Sequence, residues 1–402
     1  MLSTRDLLRQ PDLQWYLSSR FFNGMALTLM RATISWHVFA LTSSAFHLGL
    51  IGLLQFVPTL FLSLVGGAIA DAYPRRSVIL VTQLAALVAS TVVCFATFVH
   101  RDTVGLLYAV AIANAVAASF ESPARQSLLP TLVPREMFPR AVSLHSTIQN
   151  IAWVSGPVVA GFAIADFGVA SSYLIRMLLI VASIVTIARL RREVESGAER
   201  RVVSIAAIRE GLQFVRRRRE VLGAMAVDMF AVVFGSATAL LPIYANDILQ
   251  VGARGYGILS ASFEGGALLM AVLLLVLPPI ERAGRALLIA IVVYGLATIV
   301  FGLSRSFPLS IVAFMIAGMA DQISVVSRSV IVQLSTPDEL RGRVSSVNFV
   351  FIGASNQLGA AESGFVAALT SATFSVVAGG VLALVVAAVI AQQLPELRRY
   401  RI

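Results

Sequence analysis

The chain repeats part of its own sequence at one fixed spacing. Eight residues of the first half recur 203 positions later in a chain of 402 residues. Because this spacing is about half of the chain length, it predicts a duplicated unit that folds as two related halves. The repeated pairs are Arg125/Arg328, Pro134/Pro337, Glu136/Glu339, Arg140/Arg343, Ser143/Ser346, Gly156/Gly359, Gly161/Gly364 and Phe162/Phe365.

The composition indicates that lipid rather than water surrounds most of the chain. Hydrophobic residues make up 58% of it and charged residues 13%, whereas soluble domains carry about 25% charged residues. All 31 basic residues are arginine, which excludes a mechanism that needs a titrating lysine or a lysine Schiff base. Cys94 is the only cysteine, so an internal disulfide and a cysteine-based metal site are excluded as well.

Twelve apolar runs are long enough to cross a hydrocarbon core as helices, which takes about 20 residues. The long segment 190–220 separates two groups of six runs. The sequence therefore predicts an all-α membrane protein with twelve transmembrane helices, arranged as two six-helix bundles related by pseudo-two-fold symmetry. The predicted domains are an N-terminal bundle at 1–190, a cytoplasmic linker at 191–220 and a C-terminal bundle at 221–402. The runs are 15–41, 48–70, 77–99, 104–128, 140–165, 168–189, 221–246, 255–279, 285–303, 307–333, 344–367 and 371–393.

Arginine is concentrated in alternate connections between these runs. The even-numbered connections contain AYPRRS, VPREMFPR, the 190–220 segment, ERAGR and DELRGR, and the chain ends in LRRYRI. Basic residues favour the cytoplasmic side, so the pattern predicts both termini in the cytoplasm and the chain in a bacterial inner membrane. Since the arginines lie between apolar runs, the net charge of +10 indicates membrane topology rather than nucleic-acid binding.

The 190–220 segment has apolar residues at helical spacing with arginines around them. Ile205, Ile208, Leu212 and Val215 carry this pattern. It fits an amphipathic helix on the inner leaflet and equally a solvated linker with partial helix.

The connection between the second and third runs contains the stretch GAIADAYPRRSVIL. Gly67 permits close helix approach, Asp71 places a carboxylate at the membrane edge, and Pro74 forces a tight reversal. Arg75 and Arg76 can pair with that carboxylate or with the neighbouring bundle, so the stretch is a candidate latch for the cytoplasmic side.

This stretch resembles the loop signature G-x-L-A-D-R-x-G-R-K-x-x-L of the major facilitator superfamily. Ala72 replaces the first basic residue of the signature and Pro74 its second glycine. A weaker copy, ERAGRALLI, lies between the eighth and ninth runs and adds Glu281 and Arg285 to the predicted cytoplasmic gate. An ordinary charged turn that only sets topology is the alternative.

The fifth run contains WVSGPVVAGF. Small residues at Gly156 and Gly161 let helices pack closely, and Pro157 removes one backbone hydrogen bond and can bend the helix. The repeat gives Gly359 and Gly364 the same packing role in the second half. The stretch resembles the G-P-x-x-G-G signature of antiporters in the superfamily, which implies export; simple tight packing is the alternative.

Resemblance to one branch of the superfamily covers nearly the whole chain. It is carried by LTSSAFHLGLIGLL, REGLQFVRRRREVLGAM, GARGYGILSASFEGGALL, TPDELRGRVSSVN and PELRRYRI. These stretches are similar to the branch that includes the bacterial enterobactin exporter and related efflux permeases. The resemblance implies a secondary transporter that exports a small molecule, driven by inward proton flow and without a cofactor. The arginine that the superfamily usually carries in its fourth span is missing from VAIANAVAAS.

Ionisable residues inside apolar runs are costly, so each is a functional candidate. By analogy with the superfamily, the predicted substrate and proton pathway comprises Arg31, Trp36, Asp228, Glu264, Asp321 and Glu362. We expect Arg31 to meet Glu264 or Glu362, with substrate or a proton competing for the pair; a permanent ion pair that sets packing is the alternative. Arg176 lies on an outer helix, which predicts a structural pair or a snorkelling side chain.

The repeated arginines near the predicted cytoplasmic helix ends complete the predicted gate. Arg125, Arg140, Arg328 and Arg343 are expected to form twin charge clusters with Glu121, Glu136 and Glu339 that stiffen the inward gate. Compensation of helix-end charge is the alternative.

These patterns favour export of a small molecule by alternating access. An importer or a lipid flippase on the same scaffold remains open as an alternative. A membrane enzyme such as an acyltransferase lacks a recognisable nucleophile or acid–base pair, and a phosphate-binding loop and a metal cluster around His37 or His145 are lacking too. The expected partners are the substrate, protons and membrane lipid, with the protein as a monomer. Siderophore, macrolide, other hydrophobic drug and lipid all fit as substrates.

Overall fold

The computed structural model describes residues 10–190, 205–278 and 280–400, and all regular elements in these ranges are helical. A 3₁₀ turn at Arg135–Met137 precedes α5, and the short helical segments Thr238–Leu240, Leu241–Ile243 and Tyr244–Ile248 follow α8, the last of them a π-helix. The longer helices are α1 Pro11–Thr42, α2 Ala45–Ala72, α3 Arg75–Phe98, α4 Val104–Leu132, α5 Phe138–Phe167, α6 Val169–Ala188, α7 Ile205–Arg217, α8 Arg219–Gly235, α9 Gly252–Val276, α10 Ala283–Leu303, α11 Phe307–Leu334, α12 Asp338–Leu369, α13 Ala372–Gln393 and α14 Pro395–Arg399.

Eleven of the predicted apolar runs correspond to one of these helices each, and the run 221–246 covers α8 and continues into the short helical segments that follow it. Among the described residues, 10 helices are long and apolar enough to cross a membrane. The other two predicted spans are α1 and α12, each of 32 residues, which polar side chains such as Asn23, Arg31, Gln357 and Glu362 make less apolar. The all-α class is therefore confirmed, and the count of twelve spans stays a prediction.

The chain divides into two compact units. The first comprises Met1–Leu41 and Val57–Val202, and the second comprises Thr42–Phe56 and Val203–Ile402. The first part of α2 therefore packs with the second unit, although it precedes most of the first unit in sequence.

The first unit is held by an apolar core that draws on α1, α3, α4 and α6. Tyr16, Ile79, Leu128 and Ile187 are all buried in it. The residues are spaced along each helix at three- and four-residue intervals or their multiples, so each helix turns one stripe inward.

The second unit has a corresponding core built from α8, α10, α11 and α13. Val227, Leu287, Ile331 and Ala383 are buried in it together with Leu397 of α14. A second cluster joins α7 to α8, α11 and α12 through Val215, Val221, Met225, Val332, Val344 and Val347. Val215 of the predicted linker is thus covered by protein side chains; residues 191–204 of that linker lie outside the described residues.

Two repeat-related glycines make the same kind of contact in the two halves. A Cβ added to Gly156 on α5 would overlap Thr28 Oγ1 of α1 and lie 2.7 Å from the Leu29 backbone nitrogen. A Cβ added to Gly359 on α12 would lie 2.7 Å from the carbonyl oxygen of Val232 on α8. In each half, the missing side chain therefore lets the fifth helix of the repeat touch the backbone of the first.

The second unit contains a further close contact between α2 and α12. A Cβ added to Gly49 would lie 3.0 Å from the Cα atom of Gly364, and one added to Gly52 would lie 2.8 Å from the carbonyl oxygen of Gln357. The rings of Phe46 and Phe365 lie 5.3 Å apart beside these glycines. Small residues thus bring two helix backbones together over the first turns of α2.

Candidate functional site

Arg125 forms a buried hydrogen-bond network in the first unit. Its side chain is 1% exposed, and its Nε donates to Glu121 Oε1 at 2.5 Å. Its two terminal nitrogens donate to the hydroxyl oxygens of Ser19 at 3.1 Å and Ser183 at 3.3 Å. Gln83 also donates to Glu121 at 3.2 Å. The charge is neutralised within α4, and hydrogen bonds with the uncharged side chains of Ser19, Gln83 and Ser183 connect the ion pair to α1, α3 and α6.

Arg328 is the repeat counterpart of Arg125, but its acid comes from another helix. Arg328 lies on α11 and is 3% exposed. It forms an ion pair with Asp228 of α8. Ser324 donates to the other carboxylate oxygen of Asp228 at 2.6 Å. Ser324 stands 203 positions after Glu121, so the acid that lies one turn before the arginine in the first half is replaced by a hydroxyl in the second.

The predicted arginine clusters are thus only partly found. Arg125 pairs with Glu121, as expected. For Arg328 we expected an acid near a helix end, such as Glu136 or Glu339, but its partner is Asp228. The sequence signal for this partner is that position 324 carries no carboxylate. Because a buried arginine without an acid one turn away needs a carboxylate from elsewhere, a neighbouring helix must supply it.

The remaining gate arginines make contacts near helix ends. Arg343 pairs with Glu210 of α7 at 2.6 Å, and both side chains are largely exposed. Glu136 is exposed, and so is Arg140. The Glu339 side chain lies outside the described residues.

Arg75 and Arg76 bind helix carbonyls. Arg75 donates to the carbonyl oxygen of Ser127 at 2.7 Å, and Arg76 donates to those of Leu190, at 3.0 Å, and Ala188. Arg76 therefore caps the carboxyl end of α6, where a cation is favourable. The side chain of Asp71, the expected partner, and the surroundings of Gly67 lie outside the described part of the structure.

The weaker copy of the motif lies at the start of α10. Glu281 and Arg285 are exposed there. Next to them, a Cβ on Gly284 would overlap the carbonyl oxygen of Leu397. The close approach of α10 to α14 therefore depends on glycine at this position.

The six pathway candidates differ in exposure. Asp228 is buried, Arg31 is exposed, and the other four are half-buried, namely Trp36, Glu264, Asp321 and Glu362. Glu264 on α9 lies close enough to Asp321 on α11 to act on it electrostatically. These two helices touch at Gly266 and Gly318, where an added Cβ would overlap backbone of the other helix. Asp321 therefore lies within electrostatic range of Glu264; the pairing expected for Arg31 stays a prediction.

Arg176 is buried inside the first unit. It is 3% exposed, so the snorkelling interpretation is wrong. Its Nη2 donates to Asn114 Oδ1 at 2.6 Å, whereas its Nε and Nη1 lack a hydrogen-bond acceptor in the described part of the chain.

Asp102, His37 and Tyr173 form a hydrogen-bonded chain that sequence reasoning missed. His37 Nε2 lies 2.9 Å from Asp102 Oδ2, and its Nδ1 lies 2.9 Å from the Tyr173 hydroxyl. A carboxylate only accepts, so Nε2–H donates to it and Nδ1 accepts from the tyrosine. Burial raises the pKa of Asp102, but hydrogen bonds from His37 and its own backbone N–H outweigh burial and lower it. Within the described ranges, groups of three side chains suited to a metal are lacking.

Comparison with known proteins gives matches over nearly the whole chain. A family profile described as transmembrane secretion effector matches residues 8–400. The staphyloferrin A transporter of Staphylococcus aureus is 24% identical over 344 residues, covering 83% of this chain and 84% of that protein. The enterobactin exporter EntS of Escherichia coli O1:K1 is 23% identical over 403 residues, covering 100% of this chain and 96% of that protein.

Solved structures show the same fold at low identity. A POT family transporter in complex with 5-aminolevulinic acid has a TM-score of 0.75 and 12% identity, with 96% of each chain covered. A bacterial homologue of the human lysosomal transporter Spinster has a TM-score of 0.74 and 15% identity, with 97% of this chain and 99% of that chain covered.

The helical fold and these matches define a multi-pass membrane transporter with the major facilitator fold. The chain belongs to the transmembrane secretion effector family of the major facilitator superfamily. The predicted resemblance to the branch of the enterobactin exporter is confirmed.

Proposed function

We propose that the protein exports a small molecule, a siderophore or another amphiphilic compound, across a bacterial inner membrane by alternating access. The observation that carries the proposal is the end-to-end match to an enterobactin exporter, together with the match to a staphyloferrin A transporter. Two siderophore transporters of different organisms share the scaffold, so we expect the substrate to combine polar oxygen atoms with apolar or aromatic surface.

Coupling to protons is supported by the acids of the second unit. Glu264 and Asp321 act on each other within the apolar bundle, and neighbouring carboxylates can share a proton. Protonation lowers the cost of moving these groups through the membrane, so the pair is our candidate for the proton carrier. Glu362 is a second candidate because it is half-buried on α12.

We propose that the contacts of arginine side chains near helix ends form the cytoplasmic gate. Arg75 and Arg76 hold the ends of neighbouring helices in the first unit, and Arg343 holds α7 in the second. These contacts are expected to change between conformations. We further propose that both termini lie in the cytoplasm and that the protein works as a monomer surrounded by lipid.

Transport in membrane vesicles of both orientations tests the proposal. Everted vesicles, which expose the cytoplasmic face, should accumulate enterobactin on imposition of a proton gradient that is acidic inside. Right-side-out vesicles should not accumulate it under the opposite gradient. Accumulation only in right-side-out vesicles would identify an importer, and transbilayer movement of labelled phospholipid without siderophore transport would identify a flippase.

A further inference from the structure

The two halves carry opposite charge inside their helices. Ten arginine, aspartate and glutamate side chains stand at least six residues from either end of a described helix. The first half contributes Arg20, Arg31, Arg125, Arg176 and Glu121, and the second half contributes Asp228, Glu264, Asp321, Glu362 and Arg328. Arginine therefore outnumbers acid by four to one inside the helices of the first half, and acid outnumbers arginine by four to one in the second. The helix interiors of the first half thus carry more positive than negative side chains.

The one acid among these five helix-interior residues of the first half is already engaged. Glu121 accepts from Arg125 and Gln83. Arg20 donates only to an amide oxygen, Gln149 Oε1, at 2.6 Å, and its buried Nε lacks an acceptor among the described residues. An amide oxygen offsets part of a guanidinium charge, so Arg20 still favours an anion.

Arg20 is more accessible than Arg176, which also donates to an amide oxygen. Arg20 and Gln149 are both half-buried, whereas Arg176 is sealed inside the bundle. Arg20 lies on α1 and Gln149 on α5, so the pair marks a face that these two helices share. Arg125 and Glu121, which form an ion pair, act on Arg20 with opposite sign, so the guanidinium of Arg20 itself carries the positive charge of this face.

Aromatic and polar groups flank the guanidinium. His145 lies one turn before Gln149 on α5, and its ring stacks on Tyr16 with centroids 5.7 Å apart and planes 19° apart. The Tyr16 hydroxyl lies 3.3 Å from His145 Nδ1 and donates to the carbonyl oxygen of Arg125 at 3.1 Å. The face therefore offers a guanidinium fork, an amide and the half-buried imidazole of His145, which the buried Tyr16 supports.

We propose that Arg20, with Gln149 and His145, binds an anionic oxygen of the transported molecule, a carboxylate or an ionised catechol. This rests on the proposed function and deepens it by naming the substrate class. The anion takes the place of the Gln149 oxygen on the guanidinium, and the freed amide turns to donate its N–H to the same anion. A planar ring of the substrate lies along the imidazole of His145.

Binding to the purified full-length protein tests the proposal. The probes are enterobactin, whose catechol oxygens ionise, and the same molecule with all catechol oxygens methylated. We expect the wild type to bind the ionisable form about tenfold or more tightly, as a charge-assisted hydrogen bond implies. Arg20→Gln should remove this preference and Arg20→Lys should keep part of it. Arg101→Gln, which neutralises an exposed arginine, is the matched control and should keep the preference.

A second variant separates binding from folding. Gln149→Glu places a carboxylate beside Arg20, so it should raise the melting temperature and abolish the preference for the ionisable probe. If Arg20 had only a structural role, Gln149→Glu would raise the melting temperature and leave probe binding unchanged. The proposal is overturned if the wild type binds both probes equally or binds neither. It is also overturned if Arg20→Gln keeps the preference for the ionisable probe.

The vesicle assay distinguishes this inference from the proposed function. If the wild type exports enterobactin but does not prefer the ionisable probe in the binding assay, the Arg20 site is rejected and the exporter stands. An Arg20-dependent preference in a protein that exports neither probe rejects the exporter and leaves the anion site.

Discussion

Arg328 pairs with Asp228 across two helices, whereas its repeat counterpart Arg125 pairs with Glu121 on its own helix. An i,i+4 pair keeps its length as long as its helix is intact. A pair between α8 and α11 changes its length whenever these helices move relative to each other. The first pair is therefore a fixed brace, and the second can respond to the transport cycle.

Removing one partner of the second pair should destabilise the protein. Asp228→Ala leaves the Arg328 guanidinium buried without its acid, which costs about 3–5 kcal/mol. Moving the acid in the double variant Asp228→Asn/Ser324→Glu restores a carboxylate one turn before the arginine, as in the first half. Thermal unfolding in detergent should show most of the stability recovered.

The same double variant should nevertheless transport poorly. With the pair confined to α11, motion of α8 no longer breaks it, so we expect the maximal transport rate to fall about tenfold with little change in KM. Glu121→Asp, which keeps the acid on its own helix, is the matched control. Wild-type transport by the relocated pair would show that the connection between α8 and α11 is dispensable.

Neutralising the adjacent acids of the second unit should uncouple transport. Glu264→Gln and Asp321→Asn remove the groups that we propose to carry the proton, so accumulation driven by a pH gradient should fall about tenfold or more. Exchange of labelled for unlabelled substrate without a gradient should persist. Glu396→Gln, an exposed acid on α14, serves as the control, and full pH-driven accumulation in both pathway variants would exclude this pair as the carrier.

Adding one methyl group at the α1–α5 contact should destabilise the first unit. Gly156→Ala forces its Cβ against Thr28, and overpacking of this kind costs about 1–3 kcal/mol. Gly105→Ala is the matched control: a Cβ there meets nothing within 4 Å in the described structure, and alanine favours a helix by up to about 1 kcal/mol. The two melting temperatures should therefore move in opposite directions; equal shifts would contradict the packing role.

Stability should depend on Asp102 in a pH-dependent way. Asp102→Ala removes the acceptor of His37 and should cost about 1–3 kcal/mol at neutral pH. Because the pKa of Asp102 is lowered in the folded protein, its contribution is complete above the unfolded pKa of about 3.9 and is lost as the pH falls through the folded value. The melting temperatures of wild type and variant should converge there, and a constant difference down to that pH would refute the assignment.

The order of the helices was predictable because a membrane span needs a long apolar run, and such runs are visible in any window of the chain. The duplication was equally visible, and it identified Arg125, Arg328, Gly156 and Gly359 as positions with matching roles. The family followed from local stretches that keep their spacing over the whole length.

Partner choice for the buried charges depended on packing. The acid of Arg125 was predictable since it stands one turn away, but Asp228 lies 100 residues before Arg328, and local spacing does not show which helices touch. The burial of Arg176 and the placement of the start of α2 with the second unit were hidden for the same reason. Local sequence sets where a helix forms and what it can bury, whereas contacts between distant helices set which charges meet.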